Sequence, residues 1–389
     1  MAPDPSRADV LLVGAGVAAV RCARTLRRRG FAGSILLVGD EPMLPYNRPP
    51  LSKELLRDDL PDDLVLAEAE SWYERRSVEL RLGTRVVRLD AARCEAVLDD
   101  GSVVSFGQCL LATGAEPRRP PIPGADRALV LRTLADARRL RAAAQPGETV
   151  VIIGGGFIGV EVASSLAARG VRVVIVELAD ALWGGTFGAE LSSWARARLE
   201  DAGVVVRTGV AATSIEELGV SVGDDRIEAR LVLVAAGVTP RTQLASTAGL
   251  DVNDGILTDA LHRTSAPSVF AAGDVARVAG TRVEHWHAAR EGGERAALAM
   301  LGEPVPPART PWVFTEVAGH QLDVVGAARP ASQIQRIGDE ERFAFAYLAG
   351  DVVEQVAIVD SALPVDEARG LVERGGTMEE LERAASGDV

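Results

Sequence analysis

Short apolar runs, each ending at a glycine-rich turn, set the rhythm of this chain. Asp9 to Val13 predicts a strand, Gly14-Ala15-Gly16-Val17-Ala18-Ala19 a turn, and a helix runs to about Arg29 before a second strand, Ile35 to Val38. The same order returns later. Thr149 to Ile153 predicts a strand, Gly154-Gly155-Gly156-Phe157-Ile158-Gly159 a turn, then a helix to about Arg169 and a strand from Arg172 to Val176. Each is a strand–helix–strand unit with a glycine-rich first turn.

The repeat continues downstream. Val78 to Thr84 (VELRLGT) echoes Val204 to Gly209 (VVVRTG), and a hairpin signal follows each, Asp99-Asp100-Gly101 and Gly223-Asp224-Asp225. Each half closes on a buried strand and a matching turn, Leu111 to Pro117 (LATGAEP) and Val234 to Pro240 (VAAGVTP). A lone GxGxxG is weak. Two of them with the same sequel make coincidence a poor explanation. Ser268 to Asp274 then reads as a short apolar strand ending in Gly273-Asp274, and His285 to about Leu301 as a helix. Pro304, Pro306, Pro307 and Pro311 mark a linker. Beyond it the strands Phe343 to Leu348 and Val352 to Ile358 pair around Ala349-Gly350-Asp351, and a helical stretch ends a small α+β domain.

Composition fits this picture. A chain of 389 residues suits two or three domains. Its 39 glycines exceed the average of roughly 7% and suit tight turns and close backbone approach to a ligand. The net charge of −13 argues against non-specific nucleic-acid binding. The arginine clusters at Arg24, Arg27, Arg28 and Arg29 and at Arg138, Arg139 and Arg141 read as solvated helix faces or as docking patches. Cys22, Cys94 and Cys109 form no C-x-x-C motif, and each is expected to pack as a small apolar residue in a helix or strand. No metal site is expected. No signal peptide or membrane span is visible, so the expected location is the cytoplasm.

All but one of the 42 basic residues are arginine; the exception is Lys53. By composition alone Lys53 is either a chance survivor of GC-rich coding on a surface helix or a residue kept for work that a guanidinium cannot do.

A glycine-rich turn lets backbone N–H groups approach a pyrophosphate at a helix N-terminus. An acidic residue at the end of the second strand then accepts from ribose hydroxyls. Asp40, with Glu41 nearby, stands there in the first unit, and Glu177 in the second. Leu178-Ala179-Asp180 supply no arginine for a 2′-phosphate, so NADH is expected over NADPH. Two dinucleotide sites imply two dinucleotides, and the simplest chemistry is transfer from nicotinamide to a held flavin.

The run PYNRPPLSK from Pro45 to Lys53, the turn GGGFIGVE, the Ala271-Ala272-Gly273-Asp274 end and the triplet Glu284-His285-Trp286 resemble the FAD-dependent NAD(P)H:ferredoxin reductases. That family takes in putidaredoxin reductase, rubredoxin reductase and the ferredoxin reductases of aromatic-ring dioxygenases, and has a pyridine nucleotide-disulfide oxidoreductase-like fold. The resemblance covers essentially the whole chain. It implies an α/β protein of two Rossmann-like domains, for FAD and NAD, plus a small C-terminal α+β domain. The expected boundaries are 1–114 with 242–308 for FAD, 115–241 for NAD and 309–389 for the last.

The resemblance also implies roles. Gly14 and Gly16 would approach the FAD pyrophosphate, Asp40 its ribose, and Arg48 would lie beside the cofactor. Val86 and Ala112 would lie at the adenosine end, Asp274 at the ribityl or phosphate region and Trp286 near the pyrimidine, with Gly114 and Gly273 also among the FAD-binding residues. Lys53 would stand near flavin N5 and O4, paired with Glu161, as the catalytic pair. Gly154, Gly156, Ile158, Glu161, Glu177 and Gly237 would hold NADH. A fixed ammonium beside a reduced flavin stabilises its negative charge, and a carboxylate keeps the lysine charged and in place.

One run departs from the family's P-W-F-W-S-D-Q. Here it is Pro311-Trp312-Val313-Phe314-Thr315-Glu316-Val317, which puts the electron acceptor in question and leaves FAD binding untouched. The absence of cysteine from Glu41 to Lys53 disfavours a disulfide reductase or peroxidase. The expected activity is NADH-dependent reduction of a small iron–sulfur carrier, a ferredoxin or rubredoxin, that serves a mono- or dioxygenase. The chain would work as a monomer or weak homodimer. The alternatives are a partner-independent NADH oxidase or diaphorase, and a redox-sensing interaction protein resembling apoptosis-inducing factor.

Overall fold

A computed structural model describes residues 6–58, 60–327, 333–339, 342–360 and 362–386. The first five positions, where a targeting segment would begin, lie outside them. The contacts divide the chain into two units. One comprises Met1–Asn47, Pro61–Glu116 and Val238–Ala308, the other Arg48–Leu60, Pro117–Gly237 and Arg309–Val389.

The first unit is built on a seven-stranded sheet. Its order is Val78–Leu82, Ile35–Gly39, Arg7–Val13, Val103–Leu111, Glu95–Leu98 and Val86–Asp90, with Val269–Ala271 also pairing with Val103–Leu111. The strands around Arg7–Val13 are parallel. Val10 and Leu12 pack into one apolar cluster and Leu11 and Val13 into another, so both faces of the strand are covered. That explains its continuous apolar run, because a parallel strand buried on both sides needs no polar alternation. The helix Val17–Arg28 packs against the helix Trp286–Met300. A Cβ on Gly293 would stand 2.1 Å from the Ala18 carbonyl oxygen, so only glycine permits this approach.

The second unit repeats the first on a smaller scale. A parallel sheet in the order Val205–Arg207, Arg172–Val176, Thr149–Ile153, Leu231–Val234 carries the helix Phe157–Ala168. A three-stranded antiparallel sheet, Ala212–Glu216, Gly219–Val222 and Asp225–Glu228, accompanies it. The same unit holds a five-stranded antiparallel sheet in the order Trp312–Val317, His320–Gly326, Val352–Val359, Phe343–Ala349, Gln333–Gly338, followed by the helices Val365–Glu373 and Met378–Ser386. The fold is therefore α/β, two Rossmann-like elements with a C-terminal α+β element.

One sequence expectation fails. Cys94 lies in neither a helix nor a strand; it occupies the turn between Val86–Asp90 and Glu95–Leu98 at φ 55°. Cys22 and Cys109 are fully buried, and burial pushes both thiols up.

Candidate functional site

In the first unit, register assembles the site. Val13 pairs with Val38 on one side and Leu111 on the other, and Leu111 pairs with Ala271. Four strands therefore end level, and the residues just past those ends are Gly14, Asp40, Ala112 to Gly114, and Gly273 with Asp274. In open parallel sheets ligands bind outside such carboxyl ends.

Gly14 has φ 108°, and a Cβ there would lie 2.2 Å from the Ala112 carbonyl oxygen. A Cβ on Gly16 would meet nothing within 4 Å, leaving open space at the helix N-terminus. Gly16 is the N-cap, no side chain caps the helix, and its first turn holds no acid. The helix Leu134–Ala143, by contrast, carries a full capping box from Thr133 and Asp136. An uncapped, acid-free helix start behind a space that only glycine leaves clear fits a dinucleotide pyrophosphate.

Asp40 is paired with Arg241 at 2.8 Å and with Arg85 at 3.8 Å. Burial raises its pKa, but the two arginines outweigh that and hold it below the usual carboxylate value. Neither arginine was singled out from the sequence. Val86, which follows Arg85 in the chain, is buried in its strand and packs in the apolar core. Trp286 opens its helix and donates from Nε1 to Asn47 Oδ1 at 3.1 Å, with His287 edge-on to its ring. His285 is the N-cap, and burial lowers its pKa against the opposing pull of Asp274.

The second unit repeats the arrangement. Ile153 pairs with Val176 and with Val234, so these ends are level too. A Cβ on Gly154 would lie 2.4 Å from the Ala235 carbonyl oxygen, one on Gly156 would meet nothing, and the helix Phe157–Ala168 is again uncapped and acid-free at its start. Glu177 Oε2 accepts from Gly155 N at 2.5 Å and Oε1 from Ala179 N at 2.8 Å. Ile158 is 38% exposed in the first helical turn, and Gly237 holds φ 87° with open space about it. This turn also fits a dinucleotide.

Lys53 and Arg48 belong to the second unit, around the short turn Pro49–Ser52. Arg48 is its N-cap. Lys53 is 6% exposed, so the surface-helix reading fails. Its Nζ stands 2.8 Å from Glu161 Oε1, donates to the Pro49 carbonyl at 3.2 Å and lies 5.5 Å from the Phe314 ring centroid. Thr315 Oγ1 donates to Glu161 Oε1 at 2.8 Å, and Ser52 Oγ to Glu161 Oε2. Arg57 pairs with Glu316. The structure thus brings Lys53 and Glu161 together and adds Ser52 and Thr315, which sequence reasoning missed. Among the described residues no group of three His, Cys, Asp or Glu side chains could hold a metal, and no helix is long and apolar enough to cross a membrane.

Residues 8–293 match the pyridine nucleotide-disulphide oxidoreductase family, and the chain belongs to it. The biphenyl dioxygenase system ferredoxin–NAD(+) reductase component of Paraburkholderia xenovorans is 39% identical, covering 85% of this chain and 84% of the relative. The rubredoxin–NAD(+) reductase of Pseudomonas putida is 33% identical over 82% of this chain and 87% of its own. In a putidaredoxin reductase–putidaredoxin complex the matching chain is 29% identical, with a TM-score of 0.90 over 96% of this chain and 94% of that one.

Proposed function

We propose that this protein is an NADH-dependent FAD reductase that delivers electrons to a small iron–sulfur protein, a ferredoxin or rubredoxin, serving an oxygenase. The carrying observation is the buried pair that Lys53 makes with Glu161, whose helix begins at the second of two matched, uncapped glycine turns. The relatives named as ferredoxin–NAD(+) and rubredoxin–NAD(+) reductases support the same reading.

When bound, FAD would supply the conversion from a two-electron donor to single-electron delivery that an iron–sulfur acceptor needs. The chain does the rest. Gly14 and Gly16 admit the FAD pyrophosphate, Asp40 its ribose, and Gly114, Gly273, Asp274 and Trp286 complete the hold, with Val86 and Ala112 at the adenosine side and Arg48 beside the cofactor. Gly154, Gly156, Ile158, Glu177 and Gly237 take NADH. Lys53 offers a compact positive charge to the flavin, and Glu161 holds that ammonium in place. This reading retains the division into 1–114 with 242–308 for FAD, 115–241 for NADH and 309–389 as a C-terminal domain. It puts the enzyme in the cytoplasm, beside the NADH supply.

The test is anaerobic bleaching of the purified flavoprotein by NADH, followed by cytochrome c reduction with and without an added ferredoxin. Dependence on ferredoxin is expected. Fast oxygen consumption without any carrier would replace this reading with an oxidase. Lys53→Arg should keep FAD and slow the bleaching by about tenfold or more, the loss of one well-placed charge-assisted contact.

A further inference from the structure

The helix Phe157–Ala168 is apolar and buried over most of its length, with Val160, Val162, Ala163 and Leu166 all enclosed. Three polar residues interrupt it at Glu161, Ser164 and Ser165. That spacing puts them on one face. Two separate segments grip this face. Ser165 Oγ donates to the Ser52 carbonyl at 2.7 Å, beside the Ser52 hydroxyl that reaches Glu161 Oε2. From the C-terminal sheet, Thr315 Oγ1 reaches Glu161 Oε1, and Ala318 N donates to Ser164 Oγ at 2.9 Å.

Thr315 is 2% exposed and Glu161 5%. A carboxylate buried to that degree is tolerable only when its lone pairs are filled. An ionised carboxylate has no proton to give, so the two hydroxyls must be the donors. Glu161 Oε1 is shared by Lys53 and Thr315 at the same distance of 2.8 Å. Thr315, with Ser52 on the other oxygen, therefore holds the carboxylate in the orientation that meets the ammonium. The position of Thr315 is set by its strand, where it lies opposite Leu322, and by the turn that Ser164 anchors.

We infer that Thr315 is a positioning residue for the flavin-reduction step, acting through Glu161 on Lys53, so that the C-terminal sheet takes part in electron entry. The inference rests on the role proposed above for Lys53 and Glu161. Thr315 touches neither dinucleotide in this account. It fixes the carboxylate that fixes the ammonium.

Lys53 is the only lysine in the chain, so amine reagents report on it directly. The experiment follows acetylation of Lys53 by N-hydroxysuccinimidyl acetate, read by mass spectrometry of the peptide that contains it, in wild type, Thr315→Val and Thr315→Ser. It is run with and without FAD, beside stopped-flow bleaching by NADH. Thr315→Val should label several-fold faster and bleach about tenfold slower, the scale of one lost hydrogen bond to a charged group. FAD content should not change, and Thr315→Ser should restore both readings. Wild-type labelling and bleaching in Thr315→Val would overturn the inference. So would a Thr315→Ser variant as slow as Thr315→Val, because packing and not the hydroxyl would then matter. Should Thr315→Val fail to fold, Thr315→Ala carries the same comparison. If wild type binds FAD but NADH does not bleach it, the reading of the pair as the electron-entry site fails. The labelling result then still decides whether Thr315 holds it.

Discussion

The two glycine turns follow one plan and differ where it matters. In both, the first glycine sits against a carbonyl of the neighbouring strand's end, Ala112 for Gly14 and Ala235 for Gly154. In both, the third residue of the turn leaves open space before an uncapped helix. They part at the sixth position. Ala19 stands there in the first turn, whereas a Cβ on Gly159 would meet the Gly154 carbonyl oxygen at 2.0 Å. They part again at the acid. Asp40 is neutralised by Arg241 and Arg85, while Glu177 folds back and accepts from two backbone N–H groups next to its own turn. The first site is braced from outside, by arginines and by the helix Trp286–Met300 lying on its own helix. The second braces itself. A resident cofactor suits the former, and a dinucleotide that must come and go suits the latter.

The largest effect that can break this comparison comes from alanine at the two first glycines. Both hold φ above 100° and both face a carbonyl oxygen well inside van der Waals distance, so neither accepts a Cβ without moving the backbone. Gly14→Ala should yield protein largely without bound flavin, read from the absorbance ratio after purification, and should melt well below wild type. Gly154→Ala should keep the flavin spectrum and lose NADH affinity by about tenfold or more, since strain of about 1–3 kcal/mol falls on the exchanging site. Equal flavin loss in both variants would end the distinction between a resident and an exchanging site.

A smaller effect sharpens the contrast between the acids. On the proposed reading, Glu177 would have lone pairs left for ribose hydroxyls after its two backbone contacts and would disfavour a 2′-phosphate. Wild type should favour NADH over NADPH in kcat/KM. Glu177→Gln keeps the shape and removes the charge, and should narrow that preference by about tenfold, one charged contact's worth. An unchanged ratio would mean that Glu177 serves the turn alone.

Much of this was legible because its signals are local. The strands Thr149–Ile153 and Arg172–Val176 coincide with their apolar runs, and the helix predicted from His285 begins at Trp286. Glycine turns announce themselves because few other residues tolerate their backbone. Arg241 and Thr315 were missed for the opposite reason: they meet Asp40 and Glu161 across 201 and 154 residues, and no periodicity reports a hydroxyl that folding delivers from another sheet. The spacing of Glu161, Ser164 and Ser165 on an apolar helix was the available clue, since a buried polar stripe needs partners from somewhere. Cys94 was misread because its turn, Ala91-Ala92-Arg93-Cys94, holds no glycine or proline to mark it.

The smallest expected effect separates the units by pH. His262, in the first unit, is 4% exposed and its Nδ1 lies 2.9 Å from the Ala271 carbonyl oxygen, next to the Gly273-Asp274 end. Burial drives its pKa down to about 4 from 6.5, with Arg295 adding to the shift and the carbonyl and Asp259 opposing it. The folded state therefore holds this ring neutral, while the unfolded chain takes up a proton once the pH falls below 6.5. Its full contribution to stability is present above that value and drains away down to about pH 4, where the folded ring also protonates. Between pH 7.5 and 5.5 the loss from this one group is about 1.4 kcal/mol. Urea titrations across that range should show the decline, and His262→Gln should flatten it while lowering stability at neutral pH. In the second unit the comparison variant is His320→Gln, which removes a partly exposed imidazole paired with Asp360. If His320→Gln flattened the curve instead, the acid sensitivity would belong to the C-terminal sheet and not to the strands around His262.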